Sequence, residues 1–252
     1  MQVDLIDHTG KGSGDPWYAA ALMIWTKRTR TEMSPGGLEE ILSWSEEKKL
    51  EELRYMAATV PSSWEFSDYT FLIRGVTRAF THQLVRTRTA SYAQQAMQVL
   101  DVSQGPGWDY LVGPTLEPSK EAREEYVDVM RTIAKFYKRW VKAPGIKTED
   151  VRGALPTNIL TNIVMKANLR TMCDLIRKRV SPRNQGEFVD VLRLVKAEML
   201  RAHPWADLFL NREADRVAAE IYELIPKIED PLLRVNINKR VDQLLTNIGA
   251  GE

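Results

Sequence analysis

The chain has 252 residues, 35 Lys plus Arg against 34 Asp plus Glu, a net charge of +1 and 44% hydrophobic residues. That length buries a full core, and the charge balance excludes a protein that coats a polyanion by bulk charge. A single cysteine, Cys173, excludes a disulfide framework, three scattered histidines argue against a histidine metal site, and no apolar run reaches the roughly 18–20 residues of a membrane span.

The opening MQVDLIDHTG has no basic region leading into an apolar one, so no secretory signal is expected and the default location is the cytoplasm. Residues 2–7 read as a short strand, ended by the glycines at 10, 12 and 14. Asp15 and Pro16 suit a helix N-cap and first turn, with a helix running through Trp17, Ala20, Ala21 and Ile24. After the break at Ser34-Pro35-Gly36-Gly37, Leu38, Ile41, Leu42, Leu50, Leu53 and Ala57 follow in helical spacing until Pro61-Ser62-Ser63 stops that helix. Residues 69–73 are aromatic and β-branched and read as a strand, and Val76, Phe80 and Leu84 return the chain to helix. Residues 89–100 carry little charge and fit neither period, which predicts an extended loop. Pro118-Ser119 opens a long helix whose apolar stripe is Ala122, Tyr126, Val129, Ile133, Phe136 and Trp140. The last third reads as wholly helical. One stripe is Met165, Leu169, Met172 and Ile176, the next is Phe188, Leu192, Val195 and Met199, and two further helices are expected over about 213–224 and 232–247. The sum is α+β, mostly helical with a small antiparallel or mixed sheet.

Several chemistries are absent from the sequence. There is no phosphate-binding Walker loop, HExxH, GxSxG or CxxC. Gly10-Lys11-Gly12-Ser13-Gly14 has the wrong spacing for a dinucleotide loop and reads as a turn. Cys173 lies among apolar helical neighbours and reads as a buried structural thiol rather than a nucleophile. An enzyme with these side chains would leave its hard step to a bound cofactor. Two basic clusters stand out. Arg74, Arg78, Arg86 and Arg88 lie in a stretch without an acid, with Gln83 three residues from Arg86. Lys166, Arg170, Arg177, Lys178, Arg179 and Arg183 are opposed locally by Asp174 alone. Guanidinium forks at this density suit a phosphorylated ligand. The plainer alternatives are a solvated basic face, or ion pairs to the acidic helix around Glu46, Glu47, Glu51 and Glu52. For Asp174 the plain alternative is an ion pair with Arg170, one helical turn away.

The order of these residues resembles the flavin-dependent thymidylate synthases. Their signature is Arg-His-Arg-x-x-Ser-x-Asn-Glu-x-Ser-x-Arg-Tyr, with Gln just upstream. Here the stretch reads HQLVRTRTASYAQQAMQV, in which Gln83, Arg86, Arg88 and Ser91 match. Upstream, WEFSDYTFLIRG supplies Glu65 in the family register. Downstream, VRGALPTNILTNIVMKANLRTMCDLIRKR supplies Arg152, Leu155, Pro156, Asn168, Arg170 and Arg179, and Gln185 and Glu187 fit the tail of that block. The departures are Thr87 for the central His, Ala93 and Gln94 for Asn-Glu, Ala96 for Ser, Gln98 for Arg and Val99 for Tyr. Phe66 replaces a His, Asp174 stands where Asn or His is usual, and Arg183 where His is usual.

The resemblance implies a family domain over residues 1–205, with 206–252 as a helical extension packed on it. It implies homotetramers that bind FAD, a pyrimidine deoxynucleotide monophosphate (dUMP by family default) and 5,10-methylenetetrahydrofolate, with NADPH reducing the flavin. No membrane or nucleic-acid partner is implied. Gln83, Arg86, Gln94, Gln98, Arg152 and Arg179 would bind the nucleotide, with Arg179 catalytic through charge stabilisation on the pyrimidine. Ser62, Glu65, Arg86, Arg88, Gln94, Asn168, Arg170 and Asp174 would bind the flavin. The substitutions leave two other readings open: methylation or hydroxymethylation of a different base such as dCMP, motivated by Asp174, Gln94 and Gln98, or a nucleotide-binding scaffold without catalysis.

Overall fold

The computed structural model describes residues 1–29, 36–59, 61–96, 109–179, 186–210, 217, 220–222 and 224–250. Four strands, β1 (Gln2–His8), β2 (Asp68–Thr77), β3 (Ser91–Gln94) and β4 (Leu160–Asn168), form a small antiparallel sheet in the order β1-β2-β4-β3. The described helices are α1 (Tyr18–Arg28), α2 (Gly37–Leu42), α3 (Glu46–Ala58), α4 (Arg78–Leu84), α5 (Lys120–Trp140), α6 (Thr148–Val151), α7 (Leu169–Arg179), α8 (Gly186–Ala202), α9 (Asp207–Leu210) and α10 (Pro231–Ala250). The class is α+β, as the composition of elements predicts. None of these helices is long and apolar enough to cross a membrane.

The chain divides into two compact units. The first takes Met1–Asp4 and Phe71–Met165, the second Leu5–Thr70 and Lys166–Glu252. In the first, Phe71, Ile73, Val76, Phe80 and Leu84 are fully buried, and a second cluster joins Tyr137 of α5 to Val141 and Val151, with Trp140 and Leu155 against it. In the second, α1 packs on α2, α3 and the 3-10 turn Pro61–Phe66, and α7 packs on α8, α9 and that same turn. Cys173 is buried on α7, as its apolar neighbours predict. His203 lies at the end of α8, its Nδ1 2.9 Å from the buried Tyr69 hydroxyl, with Trp205 stacked on its ring.

Local chemistry explains where the elements begin and end, and where the sequence reading is corrected. Asp15 is not the N-cap of α1. Its Oδ1 accepts the Trp17 N–H at 2.8 Å and its carbonyl accepts the Tyr18 N–H, closing a turn before the helix. Residues 38–57 are two helices, because Ser45 accepts the Lys48 N–H and starts α3 afresh. Val76 belongs to β2, since the Thr77 hydroxyl caps α4 by accepting the Phe80 N–H at 3.0 Å. Part of 89–100 is the strand β3, where the adjoining Gln95 N–H donates to the Asn162 carbonyl at 3.0 Å; residues 97–100 lie outside the described ones. Residues 160–168 are β4 rather than helix: Thr161, Ile163, Met165 and Ala167 are buried in alternation, a period of two. The stripe of α5 is turned, with Met130 and Tyr137 buried and Val129 and Phe136 at 58% and 46% exposure. The helix expected over about 213–224 falls mostly on residues outside the described ones.

Gly75 lies within β2 with φ +64, a conformation side chains rarely adopt. Its N–H turns to the Asn162 side chain, donating to Oδ1 at 3.1 Å.

Candidate active site

In the first unit, α4 and β3 carry the residues of the Arg-rich motif. Gln83 is half-buried near the end of α4, where its carbonyl accepts the Arg86 N–H at 3.2 Å. The Tyr92 hydroxyl lies within hydrogen-bonding distance of the Leu84 and Thr87 carbonyls, at 2.9 and 3.0 Å, so the turn that carries Arg86 and Arg88 is tied to β3. Both arginines are exposed, and neither pairs with an acid among the described residues. Arg74 of the same run is paired with Asp4 through a short contact. Gln94 donates from Nε2 to Thr81 Oγ1 at 2.7 Å.

Arg78 begins α4 and lines a small cleft with His82, Leu155, Pro156 and Thr157. Its Nη2 donates to the Gln95 carbonyl at 3.1 Å, while its buried Nε has no partner among the described residues. Burial and then the positive charge of Arg152 lower the Arg78 guanidinium from its usual value. Two cations held close in a half-buried setting repel each other, and an anion between or beside them would relieve that repulsion.

In the second unit, the turn Pro61–Phe66 packs on α7 and brings two flavin candidates together: Arg170 Nη1 is 2.7 Å from Glu65 Oε1. Ser62 on that turn is half-buried. Asn168 sits at the β4–α7 corner, where its Oδ1 accepts the Thr171 N–H at 2.9 Å. This leaves its Nδ2 to donate elsewhere. Asp174 is exposed and lies 3.9 Å from Arg177, so the pairing with Arg170 considered from sequence is replaced by Glu65–Arg170 and Asp174–Arg177. Lys166 pairs with Asp68 at 3.0 Å. The second basic cluster is therefore partly neutralised from outside its own stretch, by Asp68 and Glu65, while Glu52 of the acidic helix pairs with Lys27. Arg179 ends α7, but its side chain lies outside the described residues, as do Gln98, Arg183 and Gln185.

Three participants were not legible in the sequence as site residues: Thr81, Gln95 and Asn162. Thr81 reads as one more helical position. Asn162 matters only because the glycine opposite it turns an N–H toward its side chain. Arg78 did carry a signal, the acid-free basic run that contains it.

A family model described as "Thymidylate synthase complementing protein" matches residues 4–205. The chain is 31% identical over 200 residues to the flavin-dependent thymidylate synthase of Geobacter sulfurreducens, covering 78% of this chain and 82% of that one. The enzyme of the same name from Pyrococcus furiosus is 30% identical over 203 residues, covering 80% of each. That from Clostridium tetani is 28% identical over 188 residues, covering 68% and 74%.

Proposed function

The chain belongs to the thymidylate synthase complementing protein family, and from that membership we propose that it transfers a one-carbon unit from 5,10-methylenetetrahydrofolate to C5 of dUMP with the help of FAD. The observation that carries the reading is the pair Arg86 and Arg88. They are exposed guanidiniums in a stretch without an acid, and no acid among the described residues compensates them. Cations left unneutralised on a turn anchored by Tyr92 suit phosphate oxygens. Their donor chemistry fits the diphosphate of FAD, so the residues present are compatible with the cofactor the family implies.

Arg88, Ser62, Asn168 and Arg170 would hold the flavin, with Glu65 keeping the Arg170 fork in place and Asp174 at the margin. Arg86 and Gln83 would take the phosphate end of the nucleotide, and Gln94 and Gln98 its sugar or base. Arg152 and Arg179 would face the pyrimidine. A guanidinium there stabilises negative charge on the ring oxygens and N3, which raises the nucleophilicity of C5 without a protein nucleophile. Arg179 is the catalytic residue in this reading. FAD, when bound and reduced, supplies the electrons that bring the transferred carbon to the methyl level, and NADPH is the proposed reductant.

Self-association as a homotetramer fits Val129 and Phe136 of α5, apolar residues that are about half exposed in a single chain. Residues 1–205 are proposed as the catalytic domain and 206–252 as a helical extension of it, in a cytoplasmic enzyme.

The test is flavin binding. Purified protein titrated with FAD should give a bound-flavin absorbance spectrum, and Arg88→Ala should weaken FAD binding by about 10- to 100-fold, the loss of hydrogen bonds to a charged group. Unchanged affinity in Arg88→Ala would contradict the assignment of that residue.

A further inference from the structure

An amide side chain such as Gln94 has a donor end and an acceptor end, so its role depends on which way it is turned. The surrounding bonds settle this. Thr81 Oγ1 lies 3.1 Å from the Arg78 carbonyl and 2.7 Å from Gln94 Nε2. A hydroxyl has one proton, and a carbonyl can only accept. Thr81 therefore gives its proton to Arg78 and receives one from Gln94, which turns the Gln94 nitrogen toward Thr81 and Oε1 away from it. Thr81 is fully buried on α4, so the anchor is fixed by packing. Gln94 is half-buried, and its Oε1 has no partner among the described residues and is not sealed from solvent. The neighbouring Gln95 is oriented by the same logic. The Gly75 N–H can only donate, so Asn162 uses Oδ1 for it and gives Nδ2 to Gln95 Oε1 at 2.9 Å.

We propose that Thr81 is a positioning residue that holds Gln94 as a hydrogen-bond acceptor for a donor group of the bound nucleotide. This rests on the reading of Gln94 as a nucleotide-binding residue. It also gives a consequence to the departure at this position, where the family signature has Glu. A carboxylate is an acceptor at both oxygens and needs no orientation, whereas Gln does.

The experiment is a double-mutant cycle read by dUMP binding and by KM and kcat. Thr81→Val should raise the KM for dUMP about fivefold, the scale of one neutral hydrogen bond, with kcat little changed. Thr81→Ser keeps the hydroxyl and should restore binding. In a Gln94→Glu background, Thr81→Val should change affinity less than twofold, because Glu presents an acceptor either way round. If Thr81→Val does not fold, Thr81→Ala replaces it in both backgrounds. Equal loss in both backgrounds would mean that the hydroxyl is merely structural, and no loss in the Gln94 background would mean that it does not orient the amide; either overturns the proposal. Gln94→Ala serves as the control for the reading beneath it. If that variant binds dUMP as tightly as the native protein, Gln94 does not touch the nucleotide and both fall, whereas loss in Gln94→Ala with none in Thr81→Val removes the positioning role alone.

Discussion

Arg152→Ala should lower kcat/KM for dUMP by about a hundredfold while leaving the melting temperature unchanged or slightly higher. The two effects have one cause. Arg152 is half-buried, and after burial its positive charge is the second cause of the lowered pKa of Arg78. Removing one cation relieves the repulsion in the free protein. It also removes charge-assisted hydrogen bonds to the ligand, which are worth about 1.5–3 kcal/mol. Arg152→Lys should fall between the two, because it keeps the charge but loses the planar fork. Thermal melts and steady-state kinetics on the same preparations check this. A melting temperature several degrees lower with turnover intact would make Arg152 a structural residue.

The second large effect is on stability in acid. His203 is buried, accepts or shares a hydrogen bond with the Tyr69 hydroxyl at 2.9 Å, and has the His8 ring edge-on at 4.7 Å. Burial first, and the charge of His8 second, lower its pKa from 6.5 to about 4. Between those values the unfolded chain binds a proton at this residue and the folded protein does not. Stability therefore rises with pH through the window, and is lost as pH falls from 6.5 toward 4, by about 3 kcal/mol in all. Other groups titrate there too, so the contribution of His203 is read as the difference from His203→Gln. The carbonyl of that glutamine can still accept from Tyr69 but it does not titrate. Urea unfolding at pH 7, 6, 5 and 4 should show a steeper fall in the native protein than in the variant. Parallel curves would place no titration at His203.

Both results depend on features only partly legible in the sequence. The strand β2 announces itself because residues 69–73 are aromatic and β-branched, and Tyr69, Phe71 and Ile73 are the buried ones. The strand β4 has the same alternation in Thr161, Ile163 and Met165, yet Met165 also falls four residues before Leu169, and the helical spacing of Leu169, Met172 and Ile176 draws the eye across the corner. The switch is marked by one residue, Asn168, whose capping bond to Thr171 is local chemistry that hydrophobic spacing does not register. The edge strand β3 is short, polar and only half covered, so nothing in its pattern separates it from a loop. At the candidate site, the arginines were visible as a charge pattern. The long-range pairings were not: Glu65 meets Arg170 across 105 residues, and Asn162 reaches Gln95 across 67. The orientation of Gln94 is a property of a hydrogen-bond network and has no counterpart in a single sequence.

The most direct test of the central claim is the mass of the product. The protein would be incubated with FAD, NADPH, methylenetetrahydrofolate and equal amounts of dUMP and dCMP, and the nucleotides analysed by mass spectrometry. An enzyme that methylates C5 of dUMP adds the mass of one methylene group to dUMP alone, by exchange of the C5 hydrogen for a methyl, and that is the expected result. No gain on dUMP in a flavin-loaded protein, a gain on dCMP instead, or a product heavier by a further oxygen would contradict it.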